Sequence, residues 1–210
     1  MYTCAECGVV ACRNHEHKNM PTNCPMHNEQ IMQKVFAEYC ENEDIGRFFI
    51  VSAEIEKMGY GKWTRLKEII EFCKRMGYRK VGLAFCGGLH KEGKIISHIL
   101  KNHGINVIST MCKTGGISKE KAGVQEEYKL KPHQFEPMCN PIAQANLLNE
   151  QNTEFNIVVG LCVGHDSLFY KYSNALVTTL IVKDRVLAHN PVGAVYCAES
   201  YYRKKLAPND

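Results

Sequence analysis

Apolar and polar positions follow two different rhythms along this chain, and the change comes near residue 79. Before it, apolar residues recur at helical spacing. Ile31, Met32, Val35, Phe36 and Tyr39 share one face of a helix predicted over 28–42. A second helix is predicted from Ile45 to Met58, ended by Gly59-Tyr60-Gly61. A third runs from Thr64 to Met76, where Leu66, Ile69, Ile70, Cys73 and Met76 are spaced for a buried stripe and Gly77 is the stop. Cys40 and Cys73 fall on these faces and read as core cysteines without a chemical role.

After residue 79, short apolar runs alternate with helical segments. The pattern predicts strand 80–86, helix 89–103, strand 105–112, helix 141–151, strand 155–162, helix 166–173 and strand 175–183. Lys183-Asp184-Arg185 reads as a tight turn into Val186-Leu187-Ala188, which would add an antiparallel edge. A last helix over 193–206 is expected to bury Val195 and Tyr196, with Cys197 as a bland neighbour. Strands filled with apolar residues and joined by helices imply an α/β fold of three layers, a mostly parallel sheet with helices on both faces. Three parts are expected: a cysteine-rich module at 1–28, a helical connector packed on the core at 29–78, and the α/β domain at 79–210.

Composition narrows the class. A formal charge of +4 on 210 residues, with no basic block, gives no reason to expect nucleic acid. No apolar run approaches the ~20 residues of a membrane span, and Met1-Tyr2-Thr3-Cys4 opens directly on a ligand-type residue, so a soluble cytoplasmic protein is expected. Nothing in the pattern sets an oligomeric state, and a homo-oligomer is compatible with it. Eleven cysteines change the picture most. Their odd number and the lack of a secretion signal favour metal-binding or catalytic thiols over disulfides.

Cys4, Cys7 and Cys12 are followed by Cys24 and His27, with His15 and His17 between. A short polar segment without apolar periodicity cannot fold on burial alone, and a bound ion is the natural source of its stability. Four thiolates, or three with the imidazole of His27, suit tetrahedral zinc; the four cysteines are the favoured set. Cys24-Pro25 also resembles the end of many iron–sulfur motifs, so a cluster here is the alternative.

The second group is spread through the α/β part. Cys86 follows one predicted strand and precedes Gly87 and Gly88; Cys112 and Cys162 follow two others. Cys139 lies at the end of a long irregular stretch, 113–140, just before Asn140, which can cap the next helix with Pro141 at its first position. The four are 26, 27 and 23 positions apart, about one βα unit each. A parallel sheet brings such strand ends to one edge, where glycine turns and helix N-termini offer N–H groups to thiolates. An iron–sulfur cluster, 4Fe–4S, is the expected occupant; zinc and redox-active free thiols are the alternatives. Cys139 comes from a loop, so it doubles as a candidate nucleophile. His165, Asp166, Lys113 and His90 are the polar residues placed to move a proton, orient a substrate or bind an anion, with Glu92 and His189 nearby.

Cys-x2-Cys-x4-Cys at the start, Phe85-Cys86-Gly87-Gly88-Leu89, Met138-Cys139-Asn140-Pro141-Ile142-Ala143-Gln144-Ala145 and Gly160-Leu161-Cys162-Val163-Gly164-His165-Asp166 resemble a bacterial and archaeal family, the domain of unknown function 1847, described as cysteine-rich and metal-binding. The resemblance covers nearly the whole chain and implies metal binding without a settled activity. Thiouracil-type desulfidases use a cysteine-held cluster with an open iron, and they provide an analogy of site type. Two functions therefore compete: an iron–sulfur enzyme acting on a small molecule by desulfuration or sulfur transfer, and a non-enzymatic metal or redox sensor, or a zinc-only protein with reactive thiols.

Overall fold

The computed structural model describes residues 1–14 and 17–208, so His15 lies outside the described residues. The chain divides into two compact units, Met1–Tyr60 and Gly61–Asp210. Among the described residues no helix is long and apolar enough to cross a membrane.

The first unit begins with single helical turns and the short α1 (Ala11–Asn14), then forms a hairpin of α2 (Glu29–Glu41) and α3 (Glu43–Gly59). Asn28 and Asn42 cap the two helices, their side-chain oxygens accepting from the N–H groups of Ile31 and Ile45. Gly46 permits the hairpin's close approach, because a Cβ there would stand 2.7 Å from the Tyr39 carbonyl oxygen. Tyr39 packs on Phe49 with ring centroids 5.0 Å apart. Cys40 is exposed, which corrects its reading as a core residue. The apolar positions around it on α2 are spaced for a face, but Ile31, Val35 and Phe36 are exposed as well.

The second unit opens with α4 (Arg65–Met76), capped by Thr64 and stopped by Gly77 at φ 78° as its sequence predicts. Next come β1 (Lys80–Phe85), α5 (His90–Asn102), β2 (Asn106–Met111), α6 (Pro141–Glu150), β3 (Phe155–Val159), α7 (His165–Tyr172) and β4 (Val177–Ile181). All three strand pairings are parallel, in the order β2-β1-β3-β4. The chain leaves β1 toward β2, then returns past β1 to β3, so right-handed crossovers put α5 and α6 on opposite faces. Val81, Leu83 and Phe85 share one face in register with Phe155, Ile157 and Val159. Phe72 of α4 packs on Phe155 there, and Gly93 of α5 lies against Phe85. The other face carries Ala84 and Val158 against Ala145, Leu148 and Phe169 from α6 and α7. This is the expected three-layer α/β arrangement. Cys73 is fully buried in it, and burial pushes its thiol up to about 12.

Two expectations near the end are overturned. β4 is parallel to β3, and residues 185–189 form turns instead of an antiparallel strand. Asp184 is the reason: its carboxylate accepts from the N–H groups of Val186 and Leu187, so those donors are lost to any ladder. The predicted last helix is broken into α8 (Val192–Tyr196) and α9 (Arg203–Leu206), and Val195 and Tyr196 are 67% and 81% exposed. Between the two, the Cys197 carbonyl accepts from the Ser200 hydroxyl and the Tyr202 N–H, a local alternative to helix bonding.

Candidate functional site

Crossover direction reverses between β1 and β3, and the space beyond the carboxyl ends of such strands is the usual ligand position in a doubly wound sheet. The end of β1 leads into Cys86, the end of β2 into Cys112, and β3 into Gly160-Leu161-Cys162. Strand β3 stops early because Gly160 takes φ 61°. A Cβ at Gly160 would meet Leu89 Cδ1 at 2.1 Å, so glycine lets the turn after β3 nest against the turn after β1.

Cys139 arrives from 113–140, a stretch ordered by its own charges. The Lys129 ammonium is buried between Glu120 and Glu126, and Lys119 pairs with Glu136 at 2.6 Å. Ser118 and Pro137 form an isolated antiparallel bridge, which turns the chain back to the sheet. The Asn140 N–H then donates to the Cys112 carbonyl at 2.7 Å, and the Asn140 side chain caps α6 with Pro141 at its first position, as its sequence predicts.

Cys86 and Cys112 share one buried cluster with Cys139 packed against it, and the three thiols act on one another with Cys112 in the middle. Cys86 and Cys112 are buried and Cys139 half-buried. The Cys112 thiol and the Gly88 N–H hold Cys86 down to about 4, with Lys183 adding its charge. Cys139 is held at about 5 by the Cys112 thiol, by Lys113 and by the charge of His165. Cys112 is pushed far up, because its two neighbours and its burial all oppose a third thiolate; the Gly87 N–H donates to its sulfur at 3.2 Å. The fourth cysteine, Cys162, accepts from Arg185 Nη2 at 3.2 Å. The charge on Arg185 also acts on Cys86 and Cys139, so three of the four cysteines fall within the field of one guanidinium.

The other residues singled out in the sequence take distinct places. Lys113 donates to the Pro137 carbonyl at 2.6 Å and to Cys139 Sγ at 3.3 Å. His165 begins α7, half-buried, with its N–H on the Cys162 carbonyl. Asp166 accepts from the Ser167 N–H and serves the first turn of α7. His90 lies on the exposed first turn of α5 with its ring 6.0 Å from that of Phe85. His189 is part of the Asp184 turn, its Nδ1 accepting from the Asp184 N–H at 3.1 Å. Under the row, fully buried Gln144 ties β1 to β2 by donating to the Phe85 and Thr110 carbonyls. Gln144 Oε1 and Thr110 Oγ1 have no hydrogen-bond partner among the described residues.

In the first unit, Cys4, Cys7, Cys12 and Cys24 line one cavity of about 280 Å³. The Val10 N–H donates to Cys7 Sγ at 3.4 Å. His27 Nε2 is instead 3.1 Å from the Pro21 carbonyl oxygen. Among the described residues, no three His, Cys, Asp or Glu side chains already stand in the compact arrangement of an ion site, in either unit.

Residues 24–180 match the model of a protein family described as a protein of unknown function, DUF1847. The chain belongs to this family. An uncharacterized protein of Methanocaldococcus jannaschii is 52% identical over 178 residues, spanning 85% of this chain and 89% of its own. The DUF1847 segment holds Cys24, Cys86, Cys112, Cys139 and Cys162, whereas Cys4, Cys7, Cys12, Lys183 and Arg185 lie outside it. Lys183 and Arg185 are the residues sequence reasoning missed, having been read only as turn formers. The signal available was topological: they follow the last parallel strand and so emerge at the edge that carries the cysteines.

Proposed function

We propose that this DUF1847 protein is an iron–sulfur enzyme that removes or transfers sulfur on a small molecule, using a 4Fe–4S cluster held by the cysteines of the sheet edge. The observation that carries the reading is the row Cys86–Cys112–Cys139. These three thiols come from parts of the chain far apart in sequence, and N–H groups of Gly87 and Gly88 and the ammoniums of Lys113 and Lys183 surround them. Soft sulfur donors under N–H groups and cations fit an anionic metal–sulfur centre. Their shared packing and mutual influence favour Cys86, Cys112 and Cys139 as the holding set. Cys162, engaged by Arg185, takes the separate role that loop position alone would have assigned to Cys139.

When bound through three thiolates, such a cluster supplies an open iron as a Lewis acid toward substrate sulfur or oxygen. The protein supplies the rest. His165, whose charge acts on Cys139, is the candidate to give or take a proton, and Lys113 pins Cys139 to the loop carbonyl of Pro137. In the first unit, the shared cavity of Cys4, Cys7, Cys12 and Cys24 supports a structural zinc on four thiolates, with His27 outside the set.

Anaerobic purification tests the proposal. The protein should be brown and carry roughly four iron and four acid-labile sulfides per chain, and Cys86→Ala, Cys112→Ala or Cys139→Ala should bleach it. It should release sulfide from a thiolated heterocycle such as 2-thiouracil. A colourless protein that takes up only zinc after treatment with iron and sulfide overturns the proposal. One feature supports a second reading, a zinc protein with reactive thiols: Cys86 and Cys139, both held below the ordinary thiol value, flank Cys112, which is pushed above it, a pattern suited to thiol chemistry. Zinc-only uptake together with rapid alkylation of Cys86 and Cys139 would select it.

A further inference from the structure

We infer that the sheet edge recognises its substrate as an anion, a small thiolated molecule carrying a carboxylate or similar oxyanion, bound by Arg185 and Lys183. This rests on the sulfur-directed iron–sulfur reading and adds the substrate's charge to it.

The first argument is the pairing of the cations at this edge. Lys113 lies on Cys139, Lys183 by Cys86 and Arg185 on Cys162. Among the described residues none of these cations has a carboxylate partner. The nearby carboxylates are committed elsewhere: Asp166 to the Ser167 N–H, and Asp184 to the N–H groups of Val186 and Leu187. Arg185 is exposed and Lys183 half-buried, so both can meet a ligand. A cation without an ion-pair partner attracts the opposite sign in a ligand.

The second argument is how Arg185 is presented. It sits in a turn built for rigidity: Asp184 accepts from two N–H groups, its own N–H donates to His189 Nδ1, and its carbonyl accepts from the His189 N–H at 2.8 Å. Ala188 and His189 take φ 49° and 63° to close it, a strained conformation for residues with a Cβ. One η nitrogen of Arg185 is spent on Cys162, and the remaining N–H groups of its fork suit a carboxylate better than a lysine would. Lys183, at the start of the same turn, adds a point charge beside Cys86.

The test is equilibrium dialysis under anaerobic conditions, on whole protein whose iron and sulfide have been measured. The probes are 2-mercaptonicotinate and its neutral counterpart 2-mercaptonicotinamide, which share the thiolated ring and differ in the charged group. The carboxylate should bind roughly tenfold tighter or more, the scale of one charged hydrogen bond. Arg185→Gln should abolish that preference without weakening the amide, and Arg185→Lys should restore only part of it. Equal binding of the probes, no binding of either, or an unchanged preference in Arg185→Gln overturns the inference. If any of these occurs on protein with a full complement of iron and sulfide, the iron–sulfur reading survives it. Protein that holds no iron overturns both.

Discussion

Replacing Gly160 by alanine tests the idea that the two glycine-bearing turns form one unit. Two costs follow from the structure. At φ 61° a residue with a Cβ pays about 1–2 kcal/mol for the left-handed conformation. The new methyl would also fall 2.1 Å from Leu89 Cδ1, and Leu89 is only 4% exposed in a packed core, so relief costs about 1–3 kcal/mol of overpacking. Together these come to about 2–5 kcal/mol. For a chain of this size that lowers the melting temperature by about 4–20 °C. The change should also reach function, because Leu89 follows Gly88 and Gly160 lies two residues before Cys162, so any relief moves both cysteine turns. Thermal unfolding by circular dichroism measures the first effect and iron content the second. Leu89→Ala opens the space, so in a double-mutant cycle the pair should be less destabilised than the sum of the single changes by about 1–3 kcal/mol. A melting temperature for Gly160→Ala close to that of the parent, or strict additivity with Leu89→Ala, would refute the reasoning.

Other outcomes follow from the same geometry. In metal-stripped protein, Cys86 and Cys139 should alkylate with iodoacetamide well below the ordinary thiol value of 9.0. Their reactivity should be lost only as pH falls through about 5 for Cys139 and about 4 for Cys86, read by mass spectrometry; a profile centred near 9 would show that the row does not stabilise thiolates. Replacing Cys4 and Cys7 together should remove one zinc equivalent and destabilise the protein while leaving the visible spectrum of the sheet edge intact; unchanged metal content would refute the first site. The salt-bridged loop should depend on acid in one direction. Lys129 holds Glu120 at about 2, so the clip is fully present above 4.5 and is lost as pH falls toward 2. Pepsin should then begin to cut within 113–140 over that window, and Lys129→Met should make the loop sensitive to trypsin-free proteolysis at neutral pH; equal protection in parent and variant would exclude the clip.

The site's parts differ in how far they could be read from the sequence. Cysteines at strand ends were legible because strand periodicity and a following glycine or cap are local signals, and a βα rhythm carries such ends to one edge. Cys139 was legible through Asn140 and Pro141, which mark a helix start without reference to anything distant. Lys183 and Arg185 were not, because their role depends on which side of β3 the last strand lies and on its direction. The antiparallel edge failed for the same reason: hairpin and parallel β4 share one apolar pattern, and the Asp184 turn, closed by His189, decides between them. Cys40 shows the limit of periodicity, which places residues on a face but does not say what covers it.

Sequence alone determined the elements as far as the last strand, the α/β class and the family, since helix caps, glycine stops and apolar runs act over a few residues. Only the tertiary structure decided that Cys112 stands between Cys86 and Cys139, that Cys162 answers to Arg185, that His90 lies against Phe85 and that His189 closes the Asp184 turn. Those relations join residues dozens of positions apart. Their energies depend on distance and burial, which the order of residues does not contain until the sheet is assembled.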